Sequence, residues 1–256
     1  MEINGNIIAH RGVHNNKEVP ENSLKAFKKA IDLDYPIELD VQLTKDNILV
    51  VFHDFNLVRM TDKTDFIQDM TLEEIKKITL LDTNEKIPTF KEVLELVNER
   101  VLLDIEIKNT NRIKDTCESL IKELTNYNNY IIKSFNPKIV RYIKNNYPNI
   151  EVGLLITDDT KNKLYDKLLT SDFVIKYAKP DFIAISKHLL KKKKFQNLTN
   201  KMTTLIWTVT SKSEITDSNL IYICNNLPFE DNWKYFELFK VFFCVNVCFI
   251  FFTFSN

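Results

Sequence analysis

The sequence predicts an α/β protein, a (β/α)8 barrel of the TIM type with a small insertion after its second strand. Three observations favour this fold class: the length, the alternation of short apolar runs with amphipathic stretches, and one segment that interrupts the alternation. A chain of 256 residues has the usual length of one such barrel. We expect the barrel over residues 1–240 and an apolar tail over 241–256.

Eight strand–helix pairs follow one another along the chain. A short apolar run bounded by turn residues predicts a strand, and apolar residues every three or four positions predict a helix. The predicted strands cover 7–11, 36–43, 102–107, 130–135, 151–156, 181–186, 204–209 and 220–225. The predicted helices cover 22–32, 89–99, 112–125, 137–146, 161–169, 188–200, 212–217 and 229 onward.

The insertion is expected at about residues 45–88. The turn at 44–47 is too short for a parallel crossover, so residues 48–52 should return antiparallel to the second strand. Residues 70–75 then predict a small capped helix, since Thr71 precedes an amphipathic turn. Insertions of this kind commonly lie at the catalytic face of a barrel.

Composition argues against several function classes. Lys+Arg and Asp+Glu both total 35, so no net charge favours nucleic acid, and the lysines at 191–194 are interpreted as a solvated helix face. The four cysteines show no CxxC spacing, which argues against a zinc site or disulfide framework and agrees with a reducing compartment. No secretory signal is recognised, and we expect a cytoplasmic protein.

Two predicted strands carry acidic residues on one face and apolar residues on the other. In the strand at 36–43, Glu38 and Asp40 alternate with apolar residues, so both carboxylates should point into the barrel about 7 Å apart. The strand at 102–107 repeats the pattern and places Glu106 near its carboxyl end. Uncompensated carboxylates there would be costly, and a hard divalent cation would offset that cost. The alternative is a set of buried salt bridges, with Arg11 or Lys108 pairing with Glu106.

Two histidines and two cations are expected at the same mouth. His10 and Arg11 end the first strand, and His53 ends the antiparallel arm. Paired imidazoles can serve as general base and general acid, while Arg11 and Lys108 can neutralise the oxygens of a phosphodiester. Together with the carboxylates, these groups indicate metal-assisted phosphoryl transfer. The other two histidines, in a polar loop and beside the lysine run, are interpreted as structural.

Ordered motifs over about residues 7–210 resemble the glycerophosphodiester phosphodiesterase family. The resemblance begins with the HRG and PENS segments and continues through ELDVQLTKD and VFHD. The full set of matching segments is 10–12, 20–23, 38–46, 51–54, 87–94, 105–108, 134–135 and 207–209. The first third of the chain carries the most specific part of the match.

The resemblance implies a barrel with a small insertion and hydrolysis of a small-molecule glycerophosphodiester to glycerol 3-phosphate and an alcohol. It implies one divalent cation, Mg²⁺ or Ca²⁺, and assigns roles to residues of this chain. The implied roles are metal binding by Glu38, Asp40 and Glu106, acid–base catalysis by His10 and His53, phosphate binding by Arg11 and Lys108, and a glycerol-side wall at Trp207.

Two segments depart from the family pattern. Thr210 stands where the family usually has asparagine, and Asn225 and Asn226 replace an expected Thr-Asp pair. These changes put substrate-side contacts in question more than the metal site. The leaving alcohol, the choice between Mg²⁺ and Ca²⁺, the oligomeric state, and which histidine is the base all stay open at this point.

Two other functions remain as alternatives. One keeps the mechanism but acts on membrane lipids, as a lysophospholipase D or sphingomyelinase D-like enzyme does. The other is a non-catalytic barrel that binds a metal or a phosphodiester. The tail at 241–256 bears on the first, because its apolar run suits a membrane-associated segment, a buried or dimer-facing last helix, or an abnormal terminus.

Overall fold

Eight parallel strands form a closed barrel within residues 6–160 and 162–229, the part of the chain that the computed structural model describes. The sheet has nine strands in the described residues, the eight of the barrel and the additional strand β3. They are β1 (Ile7–His10), β2 (Ile37–Leu43), β3 (Leu49–Val51), β4 (Leu103–Ile107), β5 (Tyr130–Ser134), β6 (Val152–Ile156), β7 (Phe182–Ser186), β8 (Thr204–Val209) and β9 (Ile221–Cys224). The ring runs β1-β2-β4-β5-β6-β7-β8-β9 and closes where β9 pairs with β1, while β3 lies outside it. The predicted fold class is confirmed.

Helices follow the strands, and polar side chains cap several of them. They are α1 (Leu24–Asp32), α2 (Leu72–Lys76), α3 (Phe90–Val97), α4 (Ile113–Glu123), α5 (Pro137–Asn146), α6 (Lys163–Leu169), α7 (Asp172–Ala178) and α8 (Lys193–Thr199). The Ser23 side chain accepts a hydrogen bond from Ala26 N and caps α1. Asn136 caps α5, and Pro137 occupies its first position, where a missing N–H costs little.

The register of the parallel strands aligns the polar residues of neighbouring strands. Asp40 lies opposite Glu106, and Glu38 lies opposite Asp104 across the β2–β4 pair. On the other side of β2, His10 lies opposite Glu38. Since side chains opposite one another in a sheet point to the same face, all these groups point into the barrel.

The outward faces of these strands are apolar and pack under the helices. Ile37, Leu39 and Val41 of β2 join Leu103 and Ile105 of β4 in the main hydrophobic core, all 0% exposed. This burial confirms the prediction that the two strands present apolar residues outward and carboxylates inward. The helix–sheet interface therefore stabilises the barrel while its interior is left free for polar groups.

The insertion has the predicted antiparallel arm and a core of its own. β3 pairs antiparallel with β2, with Val51 opposite Val41. Thr71 caps α2 and forms a capping box with Glu74. Nine buried side chains form the insertion's own cluster, Val50, Phe52, Leu57, Met60, Ile67, Ile75, Ile78, Leu80 and Ile87. This separate packing holds the His53 segment against the barrel mouth.

Three predicted helices differ from the observed elements. The predicted helix at 161–169 begins at Lys163, and α7 follows because Ser171 caps a new helix. The predicted helix at 188–200 begins as a 3-10 turn, Lys187–Lys191, before α8. The predicted helix at 212–217 is wrong: only a 3-10 turn, Lys212–Glu214, forms. The Tyr222 hydroxyl accepts hydrogen bonds from two of that segment's amides, at 216 and 217, in place of helical carbonyls.

The predicted tail at 241–256 and the predicted last helix from 229 onward lie outside the described residues, apart from residue 229 itself. Within the described part of the chain, none of the helices combines the length and apolar character that crossing a bilayer requires.

Candidate active site

The turn after β1 presents a histidine, an arginine and a backbone amide to the barrel mouth. Arg11 and Gly12 both have positive φ, 57° and 80°, which turns the chain sharply at the strand end. A Cβ on Gly12 would lie 2.9 Å from the Ala26 backbone, so glycine lets this turn pack on α1. The Arg11 amide donates to Glu38 Oε2 at 3.1 Å, which links the turn to β2.

Three carboxylates converge beside this turn. One oxygen each from Glu38, Asp40 and Glu106 lies within 4.8 Å of the other two. All three side chains are buried, at 2%, 0% and 6% exposure. The structure therefore brings together the three residues that the sequence predicted as metal ligands, and an all-oxygen set of this kind suits a hard divalent cation.

Buried cations surround the carboxylates. Lys108 Nζ lies 2.7 Å from Glu106 and 3.2 Å from Asp40. Arg11 Nε lies 3.5 Å from Asp40, and no ion pair joins Arg11 to Glu106 in the described structure. The salt bridges considered as the alternative to a metal site are thus present in part, through Lys108, and they coexist with the carboxylate cluster.

A second ion pair lies deeper in the barrel and was missed by the sequence analysis. Lys133 of β5 is 1% exposed, and its Nζ lies 2.6 Å from Asp104 and 3.1 Å from Glu38. In the sequence, the one indication of this ion pair was a lysine within the apolar strand 130–134. Lys133 neutralises Asp104 and fixes the side of Glu38 that faces away from the mouth.

Charge balance in this interior leaves an excess of negative groups. The ion-paired groups are four carboxylates and three cations, namely Glu38, Asp40, Asp104 and Glu106 with Arg11, Lys108 and Lys133. Burial by itself would raise the pKa of Asp40, but Lys108 and Arg11 outweigh it and hold that pKa well below its usual range. Burial raises the pKa of Asp104 despite the Lys133 ammonium. The neighbouring Glu38 and Glu106 carboxylates also raise the pKa of Asp104, and a bound cation would relieve this repulsion between negative groups.

His10 is held in a defined tautomer. Its Nδ1 lies 2.7 Å from Asn225 Oδ1, and its Nε2 lies 3.9 Å from Glu38 Oε2. Because an amide oxygen accepts, Nδ1 carries the proton and Nε2 keeps its lone pair. Burial and the neighbouring Arg11 lower the pKa of His10 to about 3. The imidazole is therefore neutral at neutral pH, with Nε2 able to accept a proton.

His53 has a different setting at the end of the antiparallel arm. Its side chain is 31% exposed, and its Nδ1 lies 2.6 Å from Asp54 Oδ1. Burial opposes ionisation of Asp54, but hydrogen bonds from His53 and Arg59 outweigh it and lower the pKa of Asp54 to about 2. The resulting carboxylate accepts a hydrogen bond from His53 Nδ1 and so orients the imidazole ring.

Two residues of the PENS segment contact the site, although the sequence analysis gave them no role. Glu21 accepts from Arg11 Nη1 at 2.7 Å and from Arg59 Nη2 at 2.6 Å, so it links the barrel to the insertion. Asn22 Nδ2 donates to Asp40 Oδ2 at 2.9 Å. Their only sequence signal was membership of a recognised motif next to His10.

The three residues that depart from the family pattern make different contacts. Asn225 contacts His10, so it lies beside a residue predicted to act in acid–base catalysis. Thr210 hydrogen-bonds to Glu214 through its amide at 2.7 Å, and Asn226 donates to the Thr210 carbonyl at 3.4 Å. Trp207 packs edge-on against Phe135, with ring centroids 5.4 Å apart. The indole Nε1 of Trp207 is buried and has no hydrogen-bond partner among the described residues.

The chain belongs to the glycerophosphoryl diester phosphodiesterase family, whose model matches residues 10–227. It is 44% identical to a glycerophosphodiester phosphodiesterase of Caldanaerobacter subterraneus over 161 residues, 58% of this chain and 65% of that protein. It is 32% identical to glycerophosphodiester phosphodiesterase 1 of Bos taurus over 58% of this chain and 48% of that protein. Each alignment thus spans less than two thirds of the relative.

Solved structures share the fold at lower identity. One is an Oleispira antarctica phosphodiesterase in complex with the product sn-glycerol-3-phosphate. It is 22% identical, with a TM-score of 0.72 over 86% of this chain and 92% of that chain. The family resemblance found in the sequence is confirmed, and the comparison of structures supports the barrel.

Proposed function

We propose that the chain hydrolyses glycerophosphodiesters to glycerol 3-phosphate and an alcohol. One observation carries the proposal: a buried carboxylate cluster, two cations and two histidines meet at one barrel mouth in a member of this family. The Oleispira antarctica phosphodiesterase with the same fold holds glycerol 3-phosphate as its product. A small-molecule glycerophosphodiester is therefore the proposed substrate.

Glu38, Asp40 and Glu106 are the proposed ligands of one divalent cation, Mg²⁺ or Ca²⁺. Their oxygens are close enough to share one ion, and the donor set is of the hard type that both ions prefer. When bound, the cation polarises the phosphoryl group and offsets the charge that develops on it. The excess of carboxylates over cations in the cluster supports this assignment.

Arg11 and Lys108 are the proposed phosphate-binding groups. Both are held in place by carboxylates, Arg11 by Glu21 and Lys108 by Glu106. Side chains already fixed in this way lose little further entropy when they bind the non-bridging oxygens. Trp207 is proposed to line the glycerol side, where its unpaired indole N–H can donate to a hydroxyl.

The proposed roles of the two histidines follow from their hydrogen bonds. His10 acts as general base, because Nε2 holds a lone pair and takes the proton of the attacking hydroxyl as the new P–O bond forms. His53 acts as general acid, because it is part-exposed at the mouth and Asp54 orients its ring, and it gives a proton to the alcohol oxygen as the old P–O bond breaks. The attacking hydroxyl comes from water or from the substrate itself; in the second case a cyclic phosphate forms first, and water then opens it to give glycerol 3-phosphate.

A substrate panel assayed with Mg²⁺, Ca²⁺ and EDTA tests the proposal. Glycerol 3-phosphate should be released from water-soluble diesters and EDTA should abolish its release. His10→Ala and His53→Ala should each lower the rate by at least about 10²-fold, the usual scale for acid–base groups. The matched control is His188→Ala, an exposed histidine in a 3-10 turn. Full activity without either histidine would sink the proposal.

The same panel separates the two alternatives. Hydrolysis of lysophospholipids in preference to water-soluble diesters would indicate a lipid phosphodiesterase of the D type. Metal binding without hydrolysis of any substrate would indicate a non-catalytic barrel. Neither alternative has a specific observation in its favour among the described residues.

A further inference from the structure

A cavity of about 410 Å³ lies between the insertion and the loop after β4. Its volume falls within the range of small-molecule sites, about 300–1,000 Å³. One wall comes from the segment that follows His53, and the opposite wall comes from residues 109–111. None of the roles proposed above uses this cavity, apart from that of Lys108 at its edge.

The position of the cavity relates it to the leaving group. Lys108 lines it and also contacts Asp40 and Glu106, so the cavity begins beside the proposed phosphate site. Gln42 lines it as well, and its amide donates to the carbonyls of Phe52 and Asp54, on either side of His53. Since His53 is the proposed acid, the alcohol that it protonates departs on this side.

The walls offer amides and aromatic rings. Gln68 and Asn111 line the cavity, and their side-chain amides have no hydrogen-bond partner among the described residues. Phe55 and Phe66 of the insertion also line it and are 49% and 47% exposed. Each amide can both donate and accept, which is what a hydroxyl needs, and each ring can pack on a C–H face.

The lining disfavours the two other common kinds of leaving group. No Asp or Glu side chain belongs to the described lining, so a cationic head group would meet no opposite charge there and only the two aromatic rings would favour it. A trimethylammonium group has no donor or acceptor for the amides. An alkyl chain would desolvate those amides without replacing their hydrogen bonds.

We propose that this cavity binds the leaving alcohol of the substrate and that this alcohol is a polyol, whose hydroxyls bond to Gln68 and Asn111 while its carbon skeleton packs on Phe55 and Phe66. The proposal rests on the proposed function and deepens it by naming the substrate class. It makes the insertion the part of the molecule that selects the alcohol.

Competition between soluble diesters tests the proposal. The kcat/KM for glycerophosphoinositol should exceed that for glycerophosphocholine by roughly tenfold, on the scale of one or two added hydrogen bonds. In the double variant Gln68→Leu/Asn111→Leu this preference should fall by roughly tenfold. The matched control is Asn197→Leu, an exposed amide on α8 outside the cavity, which should keep the preference.

Each result decides the proposal. Equal kcat/KM values for the two diesters, or a preference unchanged in the double variant, would overturn it. A higher kcat/KM for a lysophospholipid would overturn it in favour of an acyl chain in the cavity. If no diester is hydrolysed, the proposed function fails. Calorimetric titration of the protein with each diester in EDTA then tests the polyol site by binding alone. Tighter binding of glycerophosphoinositol that is lost in the double variant supports the polyol site, and equal binding overturns it.

Discussion

The two halves of the barrel interior differ in chemistry. In the charged half, β1, β2, β4 and β5 present the carboxylates and cations of the candidate site. In the apolar half, β6 to β9 present side chains that form one hydrophobic cluster together with Ile8 of β1 and Ile131 of β5, namely Leu155, Phe182, Ala184, Leu205 and Ile223. Both halves are buried, yet only the charged half has to offset the cost of removing charges from water.

This difference separates the part that stabilises the barrel from the part that would perform the proposed reaction. The apolar half gains free energy from each buried side chain without needing a partner. The charged half gains little net stability from its ion pairs, because their mutual attraction mostly offsets their desolvation. Its retention in the interior therefore supports the proposed reaction rather than a role in stability.

The largest effect is expected from Lys133→Met in the charged half. Methionine keeps the length but leaves Asp104 and Glu38 without their ammonium partner, which should cost about 3–5 kcal/mol of unfolding free energy. Urea denaturation at pH 7 measures it. Lys144→Met, which removes the more exposed pair with Asp181, is the control and should cost under about 1 kcal/mol.

Adding Asp104→Leu to Lys133→Met should recover much of the loss, because the unpaired carboxylate is then gone. A loss below about 1 kcal/mol in the single variant would show that the charged half relaxes around an unpaired acid. The assumed difference between the two halves would then be wrong.

The next effect is stabilisation by divalent cation. At one hundred times its dissociation constant, a ligand that binds only the folded state adds about 2.7 kcal/mol. Thermal unfolding with and without Ca²⁺ or Mg²⁺ should show this increase, and Glu106→Gln should remove it. Glu95→Gln, at an exposed position on α3, should retain it. Equal stabilisation of both variants would place the cation elsewhere.

In the apolar half, Gly153→Ala should destabilise through overpacking. A Cβ at this position would lie 2.1 Å from the Phe182 ring, so the ring must move, at about 1–3 kcal/mol. Combining Gly153→Ala with Phe182→Leu should cost less than the sum of the two single changes, as a double-mutant cycle would measure. Strict additivity would mean that the ring does not limit the space at Gly153.

The smallest effect is expected at the solvent edge, from Asp54→Asn. At pH 7 the loss should stay under about 1 kcal/mol, because Arg59 is 43% exposed and water screens the pair. The folded-state pKa of Asp54 is lowered from 3.8 to about 2. Its contribution is therefore present above about pH 4 and is lost as pH falls to about 2.

Denaturation of the protein and the Asp54→Asn variant across that range measures the change. The difference in unfolding free energy should shrink as pH falls. A difference that stays constant to pH 2.5 would contradict the assigned pKa shift. Comparison with the loss in Lys133→Met would show how strongly burial changes the contribution of an ion pair to the free energy of unfolding.

Strand periodicity made the site residues predictable. The two-residue repeat in β2 and β4 assigned Glu38, Asp40 and Glu106 to one face, and the observed burial agrees. Helix caps at Ser23 and Asn136 were predictable for a similar reason, since they depend on side chains within a few residues. The helix expected at 212–217 failed because Tyr222, which is not part of that segment, bonds to its amides.

The partners of the site residues could not be predicted from local pattern. Lys133 pairs with Glu38 across 95 residues, and His10 pairs with Asn225 across 215. Glu21 contacts Arg59 across 38 residues and so connects the barrel to the insertion. No pattern within one strand or helix indicates such pairs, because each exists only after the barrel closes.

The sequence alone determined the alternation of elements, the inward carboxylates and the family, because each depends on residue order over short spans. The tertiary structure decided which charges neutralise one another, which histidine keeps a free lone pair, and where a cavity opens beside Lys108. These depend on the register between strands and on closure of β9 onto β1. Closure of the ring brings His10 of the first strand within hydrogen-bond distance of Asn225, which follows the last strand.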